Sequence, residues 1–159
     1  MPRIRSFIAV FALGAATHGG PLPAQEIAPH WMDAPITPGD WTYIDQGAFS
    51  FATYGTAQGG VVFGMRCDKA NHKVSLDRIS AQAEAVPMRI ETESMTRLFT
   101  ADPEQSGQVH ILRAQLPAAD PFLDAMALSK GRFAVELVGE PTLYLPSWPE
   151  VTRVIEDCR

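Results

Sequence analysis

From Trp41 to Leu116 the chain runs in short apolar-alternating segments that turn residues keep interrupting, a pattern that suits strands and little else. Trp41–Asp45 is followed, after Gln46-Gly47, by Phe49–Tyr54. Gly59-Gly60 opens Val61–Cys67, and Asp68-Lys69-Ala70-Asn71 forms a tight connection into His72–Ile79, the signature of a hairpin. Residues 80–85 are a polar loop. Val86–Thr92 alternates again, Met95–Thr100 follows the turn at Glu93-Ser94, Asp102–Gly107 reads as a loop, and Gln108–Leu116 as a strand. The period then changes. Asp120-Pro121 starts a helix, since Asp caps and Pro is tolerated in the first turn. Leu123, Met126 and Ala127 give it an apolar stripe, and Gly131 ends it. Arg132–Val138 and Thr142–Leu145 return to strands. Ser147-Trp148-Pro149-Glu150 has capping-box spacing and opens a last helix. About eight or nine short strands with two short helices, the last at the C-terminus, argue for a mainly β fold: an antiparallel β-sandwich or roll.

Two cysteines constrain how these pieces join. Cys67 lies on the face of its strand that carries Phe63 and Met65. Cys158 continues the stripe Val151, Val154, Ile155 of the last helix. Both sulfurs point toward a core, and an even pair in an oxidising compartment predicts a Cys67–Cys158 disulfide. On the chain-entropy picture, closing a loop of about 90 residues stabilises by roughly 4–5 kcal/mol.

The N-terminal stretch gives the expected address. Arg3 and Arg5 precede the apolar run Ser6–Ala16, which fits a signal core and is too short for a bilayer span of about 20 residues. Small Ala24 suits signal peptidase, so 1–24 is expected to be a cleavable signal peptide cut after Ala24. Residues 25–39, with three prolines and no period, are expected to form an extended arm that Trp31 and Met32 pin to a single β-rich domain, 40–159. The two signal arginines leave 11 Lys/Arg against 18 Asp/Glu in the mature chain, a charge of −7. That balance disfavours nucleic acid and anionic membrane surfaces, which need clustered cations. No later stretch is apolar enough to span a membrane. The expected location is the periplasm or the medium.

The search for chemistry is mostly negative. Of the histidines left after cleavage, His30 lies in the arm, His72 follows a turn and His110 sits inside a strand. Cys67-x4-His72 lacks the second pair of a structural zinc site. There is no Gly-x-Ser-x-Gly elbow, Ser106-Gly107 is loop punctuation, and Gly59-Gly60 lacks the spacing of a phosphate loop. Glu156 and Asp157 point in different directions on a helix end. The two cysteines are not a Cys-x-x-Cys redox pair. No catalytic, cofactor or metal residue is assigned. Aromatic residues concentrate early: Trp41 with Tyr43 and Phe49 with Phe51 share faces, and Ser50, Ala52 and Tyr54 lie opposite the latter pair. If Trp31 and Tyr54 are exposed, they form a binding patch of the kind that dominates interfaces.

Gly39-Asp40-Trp41-Thr42, opening the domain after a signal and an arm, resembles the start of the invasion-associated locus B family, small exported β-rich proteins of Gram-negative bacteria. The cysteine that this family carries shortly after the Trp is absent here, where Tyr43-Ile44-Asp45 follows. Met65-Arg66-Cys67-Asp68, the stretch Asp120 to Ala127, Gly131 to Glu136 and Val154 to Arg159 are similar to small exported proteins of unassigned function. The resemblance implies an exported β domain and carries over no catalytic residue. The reading it joins is an exported, noncatalytic envelope or secreted module that binds a partner protein or small ligand. The alternative is a periplasmic hydrolase with a dispersed site of Ser, His110 or His72, and an acid.

Overall fold

The structure of the protein is a computed structural model that describes residues 30–159; the stretch read as an export signal, 1–24, and the first residues of the arm, 25–29, lie outside them. Nine antiparallel strands form one curled sheet. In chain order they are β1 (Asp40–Asp45), β2 (Phe49–Thr56), β3 (Gly60–Asp68), β4 (Lys73–Ile79), β5 (Val86–Glu91), β6 (Thr96–Ser106), β7 (Val109–Pro117), β8 (Phe133–Leu137) and β9 (Leu143–Leu145). Helix α1 (Pro121–Ala127) follows β7, and helix α2 (Pro149–Glu156) follows β9. Across the sheet the order is β1-β2-β3-β4-β7-β6-β5-β8-β9. The mainly β, antiparallel expectation is met, and two facing layers arise from one sheet folding over.

The fold-over has a local cause. Strand β6 changes partners midway: Thr96–Ala101 pairs with β5, and Asp102–Ser106 pairs with β7. Asp102–Gly107, expected to be a loop on composition, is therefore largely strand. Pairing with β7 and the ion pair of Glu104 with Arg113 override the poor strand propensity of Asp and Pro. As a result, Phe63 on β3 meets Phe133 on β8 edge-to-face at 6.1 Å, although four strands separate theirs in the sheet order.

Alternation decides which residues fill the inside. On β2, Ser50, Ala52 and Tyr54 point inward and are fully buried, while Phe49 and Phe51 lie on the outer face. Phe63, Met65, Val74, Leu76, Met88, Ile90, Leu112 and Val135 continue the inner face. Both helices pack onto it: α1 through Phe122, Leu123 and Met126, α2 through Val151, Val154 and Ile155. The Cys67–Cys158 disulfide is formed, with its Cα atoms 5.4 Å apart, and ties the end of α2 to β3. Asp120 caps α1 as expected, its carboxylate accepting from the Phe122 N–H at 2.9 Å. The capping box at α2 is not made. Trp148 is the N-cap residue, and the Ser147 hydroxyl donates instead to the Met126 carbonyl at 2.8 Å, tying the start of α2 to the last turn of α1.

Of the two residues expected to pin the arm, Trp31 is half-buried beside the turn between β5 and β6, and further contacts fasten the chain beyond it. Met32 is exposed. Ala34 is buried, and its carbonyl accepts from Arg132. Thr37 hydrogen-bonds to Tyr144 of β9 through backbone and side chain. Trp41 Nε1–H donates to the Pro146 carbonyl at 2.8 Å. Chain leading into the first strand thus meets the last strand, so the edges of the curled sheet are joined. Gly39 is needed at this turn: its φ is +148°, and a Cβ would lie 2.8 Å from the Gly55 carbonyl and 2.9 Å from the Tyr54 ring.

Candidate functional site

The recess best suited to a ligand lies on the outer face, across β2, β3, β4 and β7. Its floor is Gly64, which faces outward in the middle of β3, paired with Thr53 on one side and Asp77 on the other. With no side chain there, a depression of about 260 Å³ opens between Phe51, Val61, Ile79 and Ile111. Gly64 does not have the positive φ found at other glycines of the chain. A Cβ would meet Thr53 Cγ2 at 3.8 Å and the Asp77 Cβ at 3.9 Å, ordinary contacts, so the glycine leaves space and is not demanded by the backbone. A larger, more polar depression of about 560 Å³, around Thr42, Thr56 and Gln58, adjoins it and shares Thr53 and Val61.

Two arginines edge the apolar floor in different electrostatic states. Arg113 donates through Nε and Nη2 to the Asp77 carboxylate, both at 2.6 Å, and pairs with Glu104 as well. The hydrogen bond to Asp77 raises its pKa, against the opposing effect of burial, so its charge is held and locally neutralised. Arg66 projects from β3 two residues beyond Gly64, on the same face. Among the described residues it has no carboxylate at salt-bridge distance. Its Nε is buried without a hydrogen-bond partner, and its guanidinium lies 5.5 Å from the centre of the Phe49 ring. The site is therefore an uncovered apolar trough with one cation at its rim that forms no salt bridge among the described residues.

The residues singled out from sequence are placed otherwise. Tyr54 is fully buried. Its hydroxyl donates to the Thr37 and Gly39 carbonyls, 2.7 and 2.9 Å away, and its ring packs against Trp41. A binding patch of Trp31 and Tyr54 is thereby overturned, because strand alternation turns position 54 inward. Trp31 is half-buried near the turn that joins β5 to β6. His72, with φ +48°, is exposed and its Nδ1 lies 2.8 Å from the Cys158 carbonyl. His110 is exposed on β7. Neither ring is hydrogen-bonded to a serine or a carboxylate among the described residues, and no group of three or more His, Cys, Asp or Glu is arranged there to hold a metal. Also among them, no helix is long and apolar enough to cross a membrane.

Sequence reasoning missed the trough. The available signal was Gly64 itself, an isolated glycine inside an apolar strand, which marks either close approach or an open space. No protein-family model, curated protein or solved structure matches the chain.

Proposed function

We propose that this chain is an exported, noncatalytic binding module of the cell envelope or the medium, and that it holds its ligand in the outer-face trough over Gly64. One observation carries the reading: the apolar trough with unpaired Arg66 at its rim is left uncovered by the described chain. Apolar recesses with a few polar groups at the rim are the common form of small-ligand sites, and about 260 Å³ lies just below their usual 300–1,000 Å³, so the ligand is compact. Export is supported by the basic and apolar pattern of residues 3–24 and by the Cys67–Cys158 disulfide, a bond that persists in oxidising compartments. The hydrolase alternative has no comparable support, because neither exposed histidine is assembled with a nucleophile and an acid.

The test is an amide spectrum of the protein titrated with small-molecule fractions of its host's envelope. The amide resonances of position 64 and Thr53 move together in the wild type and stay still in Gly64→Val, which fills the trough with a residue suited to a strand. Resonances that move only elsewhere, or identically in Gly64→Val, would overturn the assignment.

A further inference from the structure

We infer that the trough selects a compact amphiphile bearing one carboxylate, with the carboxylate on Arg66 and the apolar body over Gly64 between Phe51, Val61, Ile79 and Ile111. The inference rests on the binding reading above and adds the chemical class of the ligand. A buried N–H without a partner carries an uncompensated desolvation cost, and the Arg66 Nε is such a group. A neutral apolar ligand would in addition strip water from the terminal nitrogens of that guanidinium, which make no hydrogen bond among the described residues. A carboxylate takes the place of that water, because the guanidinium's terminal N–H groups match the two oxygens of a carboxylate. A ligand cation would meet the Arg66 charge directly, and the nearest acid of the trough, Asp77, is already held by Arg113. The reach fits a small molecule: two residues along a strand, Gly64 to Arg66, span about 6.6 Å. The mature charge of −7 does not oppose this, since at physiological salt fields are screened within about 8 Å and the adjacent cation dominates.

The probes are octanoate, its neutral counterpart octanol, and acetate, each titrated into the full exported protein. The expected result is saturable movement of the Gly64 and Arg66 signals with octanoate. Octanol and acetate should each bind at least tenfold more weakly. Arg66→Gln should lower octanoate affinity at least tenfold without lowering octanol affinity, with a wild-type spectral dispersion showing that the variant is folded. Octanol binding as tightly as octanoate, or Arg66→Gln binding octanoate like the wild type, would overturn the carboxylate assignment. The two levels separate cleanly. If Gly64→Val loses the envelope-derived ligand while Arg66→Gln keeps it, the trough reading stands and the carboxylate inference falls. If both variants keep it, both fall.

Discussion

Thr37 and Tyr144 exchange two hydrogen bonds across the seam between the lead-in to the first strand and the last strand: the Thr37 N–H donates to the Tyr144 carbonyl at 3.0 Å, and the Tyr144 N–H donates to Thr37 Oγ1 at 2.9 Å. β9 has only three residues, and an open edge so short would fray. Thr37→Val keeps the shape and removes the acceptor. It should cost about 1 kcal/mol, the loss expected for a part-buried donor left without its acceptor. Hydrogen exchange of the Tyr144 amide should accelerate, and unchanged exchange would show that the seam does not depend on that hydroxyl.

The disulfide joins residues 91 apart and fastens α2 onto the inner face. Replacing Cys67 and Cys158 together by Ser should lower unfolding free energy by up to roughly 4–5 kcal/mol in denaturant titrations, the chain-entropy value for such a loop. Equal stability of the variant and the wild type would mean that α2 packing through Val151, Val154 and Ile155 suffices alone.

Asp120 should give stability a dependence on acid. It caps α1 and pairs with Arg97 at 2.8 Å, and that hydrogen bond, followed by the one from the Phe122 N–H, holds its carboxyl below the usual range despite partial burial. A lowered folded-state pKa means that the unfolded chain takes up the proton first as pH falls. The contribution is complete above the ordinary aspartate range, near pH 4, and disappears as pH drops through the lower folded value. Asp120→Asn should be less stable than the wild type at neutral pH by up to about 1 kcal/mol, a partly exposed pair being weak. The gap should close in strong acid; a gap constant from neutral pH to pH 2 would contradict this account.

Ser50 lies opposite Cys67 on the inner face, fully buried, with its hydroxyl lacking a partner among the described residues. Ser50→Ala removes an unsatisfied polar atom and should range from neutral to about 1 kcal/mol stabilising in thermal unfolding. A clear loss of stability would reveal a partner for that hydroxyl.

The strands were legible because alternation and turn residues are local signals, and so was the disulfide, because both sulfurs sit on apolar faces. What escaped depended on partners distant in sequence. β6 looked broken at Asp102-Pro103, since its second half is strand only by virtue of β7. Ser147 has capping-box spacing, yet the Met126 carbonyl takes its hydroxyl. On β2, Ser50 and Ala52 are too small to announce an inner face and Phe49 and Phe51 too large to announce an outer one, so the burial of Tyr54 was not visible. The trough was hidden for the same reason: Gly64 gains meaning only when Thr53, Asp77 and Ile111 are brought around it.

Native mass spectrometry of the protein, purified from its host without reductant and compared with Gly64→Val, tests the central claim most directly. The account predicts a chain that begins at Gln25, lacks two hydrogens at Cys67 and Cys158, and retains a small anionic adduct that the variant has lost. A wild-type chain carrying no adduct in spray conditions that preserve weak complexes, or an adduct undiminished in Gly64→Val, would contradict it.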